Sequence, residues 1–104
     1  MSSRCEGIFT VRAELGLHAR PAGLFVARAS RFSAQIEVAR ADADPEWVDG
    51  RSILSLLSLA AGNGTRLRIR AEGADAAEAV EALGRLLEQP GESQEPAAGG
   101  GAAG

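Results

Sequence analysis

The chain has 104 residues, enough for one small domain. Hydrophobic residues make up 45% and aromatic residues only 4%, so the core has to be aliphatic. A net charge of −3 argues against nucleic acid as a partner, since such a binder shows a basic face, and no apolar run approaches the roughly 18 residues of a membrane span.

Near the N-terminus, CEGIFTVRAE sets Ile8, Thr10 and Arg12 on one side and Phe9, Val11 and Ala13 on the other, which predicts a strand over residues 5–13. Its charges at Arg4 and Glu6 argue against a secretory signal. Cys5 is the only cysteine and cannot form an internal disulfide, so a reducing, cytoplasmic setting is expected. GLH turns the chain. Residues 19–32 then suit a helix, with Ala22, Phe25, Val26, Ala29 and Phe32 near one face. AQIEVAR (34–40) reads as a second strand, ADADP as a turn and EWVDG (46–50) as a short third strand. Ser52 precedes ILSLLSLAA, a helix of about nine residues that GNG stops. TRLRIRAEG (65–73) alternates cleanly, with Leu67, Ile69 and Ala71 inward and Arg66, Arg68 and Arg70 forming a solvated outer row. ADAAEAVEALGRLLE (74–88) is the last helix, opened by Ala74 or Asp75, with Ala79, Val80, Leu83, Leu86 and Leu87 as its apolar stripe.

The order β-α-β-β-α-β-α predicts an α+β domain with helices packed on one face of an antiparallel sheet. After Glu88, QPGESQEPAAGGGAAG offers nothing to bury, so the domain is expected over residues 1–88 and a disordered tail over 89–104. No internal repeat is present.

GLHARPA, residues 16–22, holds the only histidine. Proline favours the first turn of a helix, where its missing N–H is not needed. Pro21 therefore places His18 at or beside the N-cap. Backbone N–H groups point out of such an end, and the macrodipole adds about half a positive charge there. Anions bind at such ends. Arg20 adds a fixed charge and planar donors that match phosphate oxygens. An imidazole in that place can take a phosphoryl group as a nucleophile. From spacing alone, a surface histidine or an imperfect cap stays open beside phosphohistidine chemistry. A hydrolase finds no sequence-local partner for His18, and metal binding finds no ligand set.

GLHARPAGLFVARASRF resembles the active-site segment of HPr, the histidine-containing phosphocarrier family of the bacterial phosphoenolpyruvate-dependent phosphotransferase system. DGRSILSLLSLAAGNGTRLRIRAEGADAAEAVEALGRL resembles its second motif and C-terminal half, and the match runs from about Cys5 to Glu88. The resemblance implies an open-faced sandwich, a four-stranded antiparallel sheet with three helices. It implies that His18 accepts phosphate on Nδ1 from Enzyme I and passes it to Enzyme II A domains, with Arg20 as the active-site arginine. No cofactor is called for, and a monomer is expected. The alternative is a regulatory phosphoprotein, of a nitrogen-type branch or of carbon catabolite control, that acts by binding partners.

Ser52 before an apolar helix reads as an N-cap. The resemblance adds a regulatory site for an HPr kinase/phosphorylase, with Arg51 keeping the basic character of its position. So short a helix cannot bury Ile53, Leu54 and Leu57 together. The resemblance makes them part of a docking face with Pro21, Gly23 and Leu24, and Leu54 and Leu57 are expected to be partly exposed. Gly23 departs from the family pattern inside the first helix, at a cost of roughly 1 kcal/mol against Ala. The hairpin EVARADADPEWV is longer than is usual in the family, and Trp47 is expected to pack near its turn.

Overall fold

The computed structural model describes residues 3–90. Seven elements follow the expected order: β1 (Ser3–Thr10), α1 (Ala19–Ala29), β2 (Gln35–Arg40), β3 (Val48–Asp49), α2 (Ile53–Leu57), β4 (Arg66–Gly73) and α3 (Ala76–Leu87). The strands form one four-stranded sheet in the order β1-β4-β2-β3, antiparallel throughout. The strand last in sequence therefore lies between β1 and β2, with Ile69 opposite Gly7 on one side and Val38 on the other.

Alternation in β4 decides the layering. Leu67 and Ile69 are fully buried and Ala71 nearly so, and they join Ile36, Val38, Phe25, Leu56 and Leu83 in a single core. Burying each large aliphatic side chain contributes about 1.5–3 kcal/mol. The three helices thus cover one face and leave the other open. On the open face two arginines of the row are paired rather than simply solvated, while Arg66 is exposed. Arg68 meets Glu6 at 3.3 Å and Arg70 meets Glu37 at 2.8 Å. The Arg70 guanidinium carbon lies 3.9 Å from the centroid of the Trp47 ring, so Trp47 packs over the sheet as a cation–π partner.

β1 starts at Ser3 rather than residue 5, and β3 keeps only Val48 and Asp49 of the expected 46–50, pairing with Val38 and Glu37. Three further ends differ from expectation, each for a visible reason. β1 stops at Thr10 instead of residue 13, because its partner β4 begins at Arg66, opposite Thr10. Val11 and Ala13 remain buried, and Val11 N–H still donates to Thr65 O at 2.8 Å. α1 ends at Ala29, short of Phe32, because the last turn tightens: Arg31 N–H donates to Arg28 O and Phe32 N–H to Ala29 O. α2 has five residues rather than nine. Leu59 and Ala60 N–H groups turn back to Leu56 and Leu57 carbonyls, and Ala60 takes φ +52°, which ends the helix before GNG.

α3 begins after Asp75, as expected, but the Asp75 side chain does not cap its own helix. Its carboxylate accepts the Ser33 and Ala34 N–H groups at 2.9 and 2.8 Å instead. Ala79, Val80, Leu83 and Leu87 are buried, together with Ala76 and Gly84 outside the expected stripe. A Cβ at Gly84 would overlap the Phe9 ring. The expected tail falls largely on residues 91–104, outside the described residues.

Candidate functional site at the N-terminus of the first helix

The loop before α1 is shaped by close packing. Gly16 has φ +78°, and a Cβ there would lie 2.6 Å from Ala61 O. Glycine takes this backbone without steric cost. Leu17 is buried, and its N–H donates to Ala61 O at 2.8 Å. Asn63 Nδ2 donates to Arg12 O and Ala13 O at 3.0 and 3.2 Å. The loop that follows α2 thus grips the loop that precedes α1 at several points.

His18 follows as the N-cap of α1, with extended backbone at φ −89° and ψ −169°. Its carbonyl accepts the Ala22 N–H at 3.0 Å, closing the first turn. Its side chain makes no cap hydrogen bond. The Ala19 and Arg20 N–H groups point out of this end, and Pro21 takes the third helical position. His18 is half-buried and Arg20 exposed. No acidic residue stands in the first turn. A ring nitrogen able to act as nucleophile, a helix N-terminus and an adjacent arginine together suit a transferable anionic group such as phosphoryl. Among the described residues, no group of three or more His, Cys, Asp or Glu could hold a metal.

α1 packs against α2, and both display apolar side chains. Leu24 is 52% exposed, Ile53 41% and Leu54 80%. Leu57 is half-buried and rests on the core, and Pro21 and Gly23 are half-buried. Leu15, which the sequence did not single out, is 72% exposed in the loop before His18. Ser52 caps α2, its Oγ accepting the Ser55 N–H at 3.2 Å. Arg51 is more than a basic residue: its Nη2 donates to Phe32 O at 2.6 Å and to Ala34 O at 2.9 Å, tying the start of α2 to the turn after α1. At the other end of α2, Arg40 Nη1 donates to Leu59 O and Ala60 O at 2.9 and 3.1 Å.

The family model described as the PTS HPr component phosphorylation site matches residues 5–89, which include His18, Arg20 and Ser52. The chain belongs to the HPr family. HPr of Pseudomonas aeruginosa is 46% identical over 79 residues, covering 75% of this chain and 84% of that protein. The multiphosphoryl transfer protein of Haemophilus influenzae is 32% identical over 83 residues, and this chain spans 17% of its length. The crystal structure of an HPr from Bacillus anthracis superposes with a TM-score of 0.75 at 40% identity, covering 82% of this chain and 98% of that one. The HPr fold is therefore the four-stranded sheet and three helices described above. No helix among the described residues is long and apolar enough to cross a membrane.

Proposed function

We propose that this chain is a phosphoryl carrier of a phosphoenolpyruvate-dependent sugar phosphotransferase system, with His18 as the carrying residue. The supporting observation is the place of His18 at the N-cap of α1, two residues before Arg20 in the exposed first turn. In this reading a ring nitrogen, Nδ1 by family resemblance, attacks phosphorus on the phosphorylated donor, Enzyme I. The new N–P bond forms as the donor's bond to phosphorus breaks, and the electron pair leaves with the donor. The helix end and Arg20 stabilise the added negative charge. Transfer to an Enzyme II A domain repeats the step in the opposite sense. A carrier needs one small face that both partners fit. Leu24, Ile53 and Leu54, with Pro21, Gly23 and Leu57, supply it in this proposal. Ser52 is the regulatory position: a phosphate there would set about two negative charges beside that apolar face and weaken docking.

Intact-mass spectrometry after incubation with Enzyme I, magnesium and phosphoenolpyruvate tests the reading. The expected result is a gain of one phosphoryl group, lost in mild acid and absent from a His18→Ala protein. A wild-type chain that gains nothing overturns it.

A further inference from the structure

Arg40 ends β2 and reaches away from the sheet to the loop that follows α2. Its Nε and Nη2 donate to the two carboxylate oxygens of Asp42 at 2.9 and 2.8 Å, which fixes the plane of the guanidinium. Its Nη1 is then aimed at two main-chain carbonyls, Leu59 O and Ala60 O. Both carbonyls belong to the turn that follows the C-cap of α2, Ser58. Ala60 is the one non-glycine among the described residues with positive φ, a backbone that L side chains avoid. The next residue, Ala61, is the one whose carbonyl accepts the Leu17 N–H and faces Gly16 without room for a Cβ. An unbroken series of contacts therefore runs from Asp42 through Arg40 and the 59–61 turn to Leu17, the residue before His18.

We propose that Arg40, oriented by Asp42, is a positioning residue for phosphoryl transfer at His18 and acts by holding the 59–61 turn against the Gly16–Leu17 segment. The inference rests on the carrier reading of His18. Arg40 does not touch the transferred group. It fixes where the N-cap imidazole stands at the helix end, and transfer to a positioned nucleophile is sensitive to small displacements. Loss of the guanidinium therefore slows the transfer step more than it weakens docking, since its hydrogen bonds go to Asp42, Leu59 O and Ala60 O and not to the exposed Leu24, Ile53 and Leu54.

The test compares wild-type protein and Arg40→Gln by Enzyme I-dependent phosphorylation kinetics and by amide hydrogen exchange. In Arg40→Gln, kcat should fall at least fivefold with KM for the carrier within twofold. The Leu17 amide should exchange at least tenfold faster, with the amides of Phe25 and Leu83 unchanged. If Arg40→Gln proves unfolded by circular dichroism, Asp42→Asn, which keeps the Arg40 guanidinium but removes the two-oxygen carboxylate that orients it, should lower kcat at least twofold with the same change at Leu17. A folded variant with wild-type kcat, or with reduced kcat and an unchanged Leu17 amide, overturns the proposal and leaves the carrier reading intact. A wild-type protein that takes no phosphate overturns the carrier reading and this inference with it.

Discussion

Gly23 occupies the middle of α1, between the buried Ala22 and Phe25 and next to the exposed Leu24. A Cβ built on it meets no heavy atom within 4 Å. Its presence is therefore not forced by packing, and helix propensity alone sets the effect of filling the position. Gly23→Ala should stabilise the fold by about 1 kcal/mol, which raises Tm by roughly 4–8 °C for a domain of this size. Differential scanning calorimetry checks this, and an unchanged or lowered Tm would mean that the position carries strain the geometry does not show. The contrast with Arg40 and Arg51 marks how far single residues are legible in the sequence. His18 stands out as a candidate because one imidazole, one arginine and one proline stand together in the chain. Arg40 and Arg51 lie 19–20 and 17–19 residues from the carbonyls they grip. Only the tertiary fold brings those groups together, so no local pattern announces them.

At the scale of elements, type and order follow from periodicity, and ends do not. β4 is read well because strict alternation persists until Gly73. α1 and α2 read too long because their apolar pattern continues into tightened turns, where Phe32 and Leu59 still pack on the core. α2 is the instructive case, since a five-residue helix is far shorter than an isolated helix can sustain in water. It persists through its ends: the Ser52 cap at one, Arg40 at the other, and Leu56 buried between them. Ser52→Ala should therefore destabilise the protein by about 1 kcal/mol, read as a lower urea midpoint at unchanged m-value. Ser52→Asp, which keeps a side-chain acceptor for the Ser55 N–H, should stay within a few tenths of a kcal/mol of wild type. Equal losses in the two variants would show that the hydroxyl contributes something other than the cap.

Across the whole molecule, Asp75 joins parts that are distant in sequence. From the start of α3 its carboxylate accepts Ser33 N–H, Ala34 N–H and the Ser33 hydroxyl, and so pins the turn between α1 and β2. Arg51 holds the same turn from the α2 side through Phe32 O and Ala34 O. The Ser33 N–H above all, with Ala34 adding to it, favours the ionised form and holds Asp75 below the usual carboxylate range against the opposing effect of desolvation. Asp42 is lowered likewise, first by its hydrogen bond from Arg40. A carboxyl whose folded pKa is depressed binds its proton in the unfolded chain first. Its contribution is complete above the ordinary carboxyl pKa of about 3.9, and it is lost as pH falls from there through the folded value. Thermal unfolding of wild type should thus show Tm falling steeply below about pH 4. Asp75→Asn, which keeps an amide oxygen for one of the two N–H groups but cannot titrate, should start lower at pH 7 and fall less steeply, so that the two curves converge in acid. Parallel curves would mean that the carboxylate's charge does not stabilise the junction of α1, β2 and α3, and that the acid sensitivity of the fold comes from its other carboxylates.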